Sequence, residues 1–323
     1  MPRTVVQLDA PGGPEVLEVR ELPNLEPAAG ELLVAVHAAG VNFIDTYHRS
    51  GLYEMPLPLI PGSEGSGTIT ALGDGVTDFA VGDAVAWVGG GGSYASEVVI
   101  PAAIALAVPP SMSLSAAAAL PLQGMTAHYL IDSVYPLGPG DRCLVHAAAG
   151  GTGRLIVQMA KLRGAEVVAT VGSEEKAVLA RSAGADHIIN YRTGDIVEGV
   201  EAAVGKDAID VVYDGVGAST FEAGLAVLRV RGTMATFGNA SGPVPPVAPL
   251  ALMPKSLLLT RPKLWDFTRT TEERDDRWNE IVAWVESGDL DVRIGMEVPL
   301  AEAADAHRAL ESRQTTGKLL LRP

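Results

Sequence analysis

Cysteine is almost absent from this 323-residue chain. The one present, Cys143, excludes an intramolecular disulfide and a thiolate zinc site. Aromatic residues are scarce at 5%, which leaves Ala, Val and Leu to fill the interior. Basic residues number 24 against 39 acidic ones. The resulting formal charge of −15 repels polyanions, so a general nucleic-acid binder is excluded. No apolar run reaches the ~18 residues that a membrane span requires. The opening MPRTVVQLDAPGG carries no apolar stretch behind its charge, so no signal peptide is expected. These absences point to a cytoplasmic protein with no membrane partner. What is plentiful is apolar residue (47%), with 36 Gly and 22 Pro for tight turns. At roughly 100–200 residues per domain, two domains are expected.

The first third predicts short strands at 5–8, 16–19, 31–38, 67–72 and 84–88, separated by Gly, Pro and Asp. That spacing fits a compact, barrel-like β domain. Gly89–Gly92 reads as a surface loop. Ser113 is placed to cap a helix that Pro121 ends, with a second helix over 123–133. Strands at 142–147, 166–171, 187–190, 209–213 and 233–237 then alternate with helices at 154–163, 174–183 and 220–228. This rhythm predicts a parallel sheet covered by helices. Beyond residue 261 it stops: Thr270 and Glu273 form a capping box, 301–312 reads as a helix and 319–321 as a strand. The expected fold is α/β. A β-rich domain of residues 1–124 and 261–323 would be interrupted by a parallel-sheet domain of residues 125–260.

The segment His146-Ala147-Ala148-Ala149-Gly150-Gly151-Thr152-Gly153 lies between a predicted strand and a predicted helix. Ala148, Gly150 and Gly153 occupy the three small-residue positions of a dinucleotide fingerprint. There the turn is tight, the backbone approaches a diphosphate, and the helix N-terminus faces the anion. No Lys-Ser/Thr pair follows, so a nucleoside-triphosphate loop is excluded. The place where an NAD site carries its acid, near Gly172-Ser173, has none. Lys176 and Tyr191-Arg192 stand nearby, which favours NADPH through pairing with a 2′-phosphate. Glu174 and Glu175 would oppose this if either turned inward.

The chain resembles the zinc-free quinone oxidoreductases, the zeta-crystallin-like branch of the medium-chain dehydrogenase/reductase superfamily. The segments that carry the resemblance are GGPEVLEV (12–19), AAGVNFIDTYHRSGLY (38–53), PGSEGSGTI (61–69), HAAAGGTG (146–153), INYR (189–192), VVYDGVG (211–217), FGNASG (237–242) and TTGKLLL (315–321). The resemblance implies a GroES-like catalytic domain around an inserted Rossmann domain, NADPH in the inter-domain cleft, and a homodimer. It implies Asn42, Tyr47, Gln123 and Thr126 near the nicotinamide, with Asn42 and Tyr47 the catalytic candidates. Gly150, Gly151, Thr152 and Gly153 would hold the pyrophosphate. Lys176, Tyr191 and Arg192 would hold the 2′-phosphate, and Val216, Phe237, Gly238, Asn239, Gly317 and Lys318 would line the remaining path. Zinc-dependent relatives place a Cys beside Val41-Asn42 and a His beside Gly62-Ser63-Glu64. Asn42 and Ser63 stand there instead, and the six His show no clustered spacing, so no metal is expected.

The expected activity is zinc-independent reduction of a quinone by NADPH. The cofactor would carry the chemistry, which accounts for the lack of an obvious nucleophile or acid–base dyad. The same motifs admit a reductase of activated C=C bonds in enones or enoyl thioesters, with Tyr47 or Tyr53 as proton source. They also admit a non-catalytic, NADPH-binding crystallin-like protein. Asp45 reads as a helix-capping carboxylate, Cys143 as a small buried hydrophobe, and His146 as a residue that packs or makes a backbone hydrogen bond rather than transferring a proton.

Overall fold

The computed structural model describes residues 2–323. The chain begins with strands β1 (Arg3–Gln7), β2 (Glu18–Leu22) and β3 (Glu31–Val41), followed by helix α1 (Phe43–Ser50). Strands β4 (Glu64–Leu72), β5 (Ala84–Val88), β6 (Glu97–Pro101) and β7 (Ala105–Ala107) come next, then α2 (Leu114–Ala119) and α3 (Pro121–Tyr129). The middle of the chain alternates β8 (Arg142–Val145), α4 (Gly151–Leu162), β9 (Glu166–Val171), α5 (Glu174–Ser182), β10 (His187–Asn190), α6 (Ile196–Val204), β11 (Ile209–Asp214), α7 (Phe221–Val227), β12 (Leu228–Thr236) and β13 (Leu258–Thr260). Helix α8 (Thr271–Ser287), strand β14 (Ile294–Pro299), helix α9 (Ala303–Glu311) and strand β15 (Lys318–Arg322) complete it.

Two compact units result. The first joins the residues up to Leu122 to Val292–Pro323, and the second is Gln123–Asp291. The first contains a seven-strand sheet in the order β14-β15-β3-β4-β5-β7, with β6 also paired to β3. Strand β3 holds this sheet together. It is eleven residues long, alternates buried and less buried positions over its first half, and pairs antiparallel with β4, β6 and β15. Trp87, Ile69, Val34 and Ile100 fill one face, while Val41, Tyr94, Leu319 and Leu321 fill a second cluster.

The second unit is a parallel six-strand sheet in the order β10-β9-β8-β11-β12-β13. The order reverses between β8 and β11, and ligands of such sheets bind beyond the carboxyl ends of the strands at that switch point. The central strands β8, β9 and β11 are almost wholly buried, as helices on both faces require. Leu144, Val168, Val212 and Met234 form its core with Val200 and Phe221 from the covering helices.

One expected boundary is corrected. The first unit resumes at Val292, not at residue 261, because α8 packs on the second unit. Trp278 and Ile281 are buried, and Arg277 and Glu280 bond the two ring nitrogens of His128 at 2.8 and 2.6 Å. The Arg163 guanidinium lies 5.3 Å from the Trp284 ring centre. The Ser113-capped helix α2 ends just before Pro121 as expected, and Pro121 itself starts α3, since proline's missing N–H is harmless in a first turn. The short strands β6, β7, β13 and β14 and helices α1 and α6 went unpredicted. Among the described residues, no helix is long and apolar enough to cross a membrane.

Candidate active site

In the second unit, β8 leads into a turn in which Ala147 adopts a left-handed φ of +52° and its carbonyl accepts from Gly150 N at 2.9 Å. Gly150 is the N-cap of α4. A side chain on Gly153 would overlap the Ala147 carbonyl, and one on Gly150 would lie 3.2 Å from it. One on Gly151 would overlap the carboxamide of Gln123, which places that side chain of α3 across the start of α4. The first amides of α4 have no partner within their own helix. Gly150, Gly151, Thr152 and Gly153 therefore form a backbone cradle of the size and polarity that a diphosphate fits. Thr126 lies one turn along α3 from Gln123 and is buried.

The strand ends beside this cradle collect the expected basic residues. A side chain on Gly172, just past β9, would run into the Tyr191 hydroxyl. Burial first, and then the charge of Arg192, hold the Lys176 ammonium below its usual pKa. Lys176, Tyr191 and Arg192 thus share one corner, with Tyr191 and Arg192 exposed. Glu174 and Glu175 are exposed in the first turn of α5, which Ser173 caps through its hydroxyl.

Beyond β11 and β12, two turns are laced together. Phe237 N donates to the Asp214 carbonyl (2.8 Å) and Ser241 N to the Val216 carbonyl (2.7 Å). The Phe237 ring covers Gly215, and Gly238 packs so closely on the Gly215 carbonyl that a side chain there would collide with it. Asp214 organises this corner, its Oδ1 accepting from Val216 N (2.7 Å), Gly217 N (3.1 Å) and the Thr220 hydroxyl (2.9 Å). Val216, Phe237, Gly238 and Asn239 are therefore neighbours in the structure. Asp214 itself was quoted within a motif but given no role. The signal was an acid closing a buried apolar strand.

In the first unit the register of β3 against β15 and β4 brings Asn42, Lys318 and Glu64 together. Lys318 Nζ is buried, ion-paired with Glu64 Oε1 and 2.8 Å from Asn42 Oδ1. Asn42 Nδ2 donates to Glu64 Oε1 at 2.7 Å, and Leu122 N donates to Glu64 Oε2 at 2.7 Å. Gly40 is required opposite Glu64, because a side chain there would occupy the carboxylate's space. Gly317, with φ of +66°, precedes Lys318. The Asn42 amide is thus fixed at both ends, and Lys318 is a buried counter-ion.

Asn42 also starts α1. Its backbone N–H donates to Asp45 Oδ2 at 2.9 Å, and the Ser63 hydroxyl donates to Asp45 Oδ1 at 2.9 Å. The Tyr94 hydroxyl donates to Asp45 Oδ2 at 3.3 Å and meets His307 Nε2 at 3.0 Å. Arg49 reaches His307 Nδ1 at 3.2 Å and pairs with Glu311. Because Arg49 can only donate, the His307 proton sits on Nε2. Desolvation pushes the Asp45 pKa up to about 6 despite its donors, and burial with the charge of Arg49 pulls His307 down to about 3. Tyr47, one turn into α1, meets the half-exposed Tyr53 edge-on at 5.3 Å between ring centres.

Among the described residues, no group of three or more His, Cys, Asp or Glu side chains could hold a metal ion. The residues at the two zinc-ligand places are committed elsewhere, Ser63 to Asp45 and Asn42 to Glu64 and Lys318. Cys143 is buried within β8, where desolvation pushes its thiol up, away from reactivity.

Comparison with known proteins decides the family. Residues 28–110 match the alcohol dehydrogenase GroES-like domain, and residues 183–321 match the family described as zinc-binding dehydrogenase. A quinone oxidoreductase of Salmonella typhimurium is 43% identical over 325 residues, spanning 99% of each chain. The chain belongs to the quinone oxidoreductases of the medium-chain dehydrogenase/reductase superfamily. The Escherichia coli quinone oxidoreductase, in complex with NADPH, superposes with a TM-score of 0.97 at 42% identity over 99% of this chain and 100% of that one. A 2-haloacrylate reductase from a Burkholderia species is 39% identical over 97% of this chain and 96% of its own.

Proposed function

We propose that the chain is a cytoplasmic, zinc-independent, NADPH-dependent quinone oxidoreductase. The observation that carries this reading is the meeting, at the carboxyl ends of one parallel sheet, of a glycine-rich helix start with Lys176, Tyr191 and Arg192. NADPH, when bound, supplies a hydride to the acceptor.

The chain's own residues bind and orient. The amides of Gly150, Gly151, Thr152 and Gly153 receive the diphosphate, and Lys176, Tyr191 and Arg192 receive the 2′-phosphate. Gln123 and Thr126 extend the cradle along α3, while Val216, Phe237, Gly238 and Asn239 form its other wall. Asn42, held rigid by Glu64 and Lys318, presents a fixed polar edge next to Tyr47 on α1. Gly317 supplies the turn that delivers Lys318. A reduced quinone oxygen takes its proton from water, so no dedicated acid is required of the protein.

The test follows nucleotide oxidation with 1,4-benzoquinone and with a 2-enone. NADPH consumption with the quinone, well above that with NADH, is expected. Quinone inertness with both nucleotides, or a preference for NADH, overturns the proposal. The haloacrylate-reducing relative favours a second reading, hydride addition to an activated C=C bond with Tyr47 or Tyr53 as proton source. Enone reduction without quinone reduction would select it.

We also propose a homodimer formed through the outer edge of β13. That strand ends the sheet, Leu258 is 61% exposed, and Val230, Leu250 and Met253 on the adjoining strand and turn are exposed as well.

A further inference from the structure

The parallel sheet ends in a row of polar residues. Thr170 on β9, His146 after β8 and Asp214 on β11 each stand one position beyond a registered pair, Ala169 against Val145 and Val145 against Tyr213. Residues level in a parallel ladder point to the same face. The row lies where the strand order reverses, between the turn at 146–150 and the turn at 215–217. His146 and Asp214 are both buried, at 2% and 0% exposure. His146 Nδ1 meets the Thr170 hydroxyl at 2.9 Å. His146 Nε2 and Asp214 Oδ2 have no hydrogen-bond partner among the described residues, although the two groups interact electrostatically.

Two orphaned polar atoms in one interior are costly, and such groups in native proteins are satisfied by each other or by internal water. Their characters are complementary. If the Thr170 hydroxyl donates to Nδ1, the imidazole carries its proton on Nε2 and becomes a donor toward a carboxylate oxygen that can only accept. The other tautomer leaves two acceptors facing one another.

We infer that His146 and Asp214 are positioning residues joined by one buried water, forming a Thr170–His146–water–Asp214 bridge that sets the spacing of the two turns flanking the switch point. The water accepts from His146 Nε2 and donates to Asp214 Oδ2. Asp214 Oδ1 meanwhile fixes the amides of Val216 and Gly217, so the bridge ties the glycine cradle to the turn opposite. The consequence for nucleotide affinity rests on the NADPH reading above, whereas the bridge itself does not.

The test is long-range proton–nitrogen NMR of nucleotide-free protein labelled on histidine, together with NADPH titration. In the wild type, His146 shows the Nε2–H tautomer, unchanged between pH 5 and 8. Asp214→Asn keeps an acceptor for the two amides but turns an N–H₂ toward His146, and the tautomer switches to Nδ1–H. His146→Phe, with its fold checked by circular dichroism, weakens NADPH binding about tenfold, and His146→Gln restores part of it. An Nδ1–H tautomer in the wild type, or no change of tautomer in Asp214→Asn, overturns the bridge. Unaltered affinity in His146→Phe overturns its positioning role. A wild type that binds no NADPH refutes the nucleotide reading and leaves the NMR result to decide the bridge.

Discussion

At the scale of single residues, close approach sets the ranking of substitutions in the cradle. Gly153 faces backbone, the Ala147 carbonyl, which cannot yield without opening the turn. Gly151 faces the far end of Gln123, which can swing aside. Gly153→Ala should therefore cost about 1–3 kcal/mol of stability as well as NADPH affinity, while Gly151→Ala should do little to the fold. Gly151→Asp should abolish NADPH binding by setting a carboxylate against the diphosphate, and calorimetric titration that finds its affinity unchanged removes the residue from the site. Lys318 supplies a second prediction. Lys318→Met strands the Glu64 charge in the interior, with an expected loss of about 3–5 kcal/mol in chemical denaturation. The double change with Glu64→Gln should recover part of that loss. The glycine cradle was legible in the sequence because its spacing expresses a local constraint on one turn. The partnership of Lys318 with Glu64 was not, because it is made by the register of three strands whose residues lie 254 positions apart. Sequence reading accordingly put Lys318 on the cofactor path, whereas its ammonium is engaged by Glu64 and Asn42.

Elements carry the pH response. Helices α1 and α9 meet through Arg49, His307, Tyr94 and Asp45, and the two members that titrate below neutral pH, Asp45 and His307, act in opposite directions. The Asp45 pKa rises from 3.8 to about 6 on folding, so its contribution to stability is greatest at low pH and falls as pH rises through about 6. The His307 pKa falls from 6.5 to about 3, so the unfolded chain binds the extra proton and stability drops as pH falls below 6.5. Between pH 4 and 6 the two slopes offset each other. Asp45→Asn should therefore leave a protein whose melting temperature falls more steeply on acidification. His307→Gln should leave one that holds or gains stability there, and parallel pH profiles for both variants and wild type would contradict this. The sequence revealed the capping role of Asp45, which depends on neighbours three residues away. His307 and Tyr94 stayed hidden because their partners come from distant elements. The long strands and helices of the parallel sheet were legible from apolar runs, caps and glycines. The three-residue strands β7 and β13 were too short to show a period.

For the whole molecule, the architecture of an inserted parallel-sheet unit was readable, but the chain's return to the first unit was misplaced. The Thr270–Glu273 capping box marks where α8 starts and says nothing of which core its Trp278 enters. If the β13 edge pairs two copies, Leu258→Asp should yield monomers in light scattering while NADPH binding survives, and an unchanged mass would move the interface elsewhere. The closing strand has a temporal consequence as well. Lys318 follows Asn42 by 276 residues, so at ~5–20 residues per second the ribosome needs tens of seconds to deliver it. Throughout that interval Glu64 has no counter-ion and β3 lacks one neighbour, and by its end every residue of Gln123–Asp291 has been synthesised. The inserted unit should thus become protease-resistant on stalled nascent chains before the unit that precedes it in the gene, making the earliest-synthesised sheet the last to be sealed.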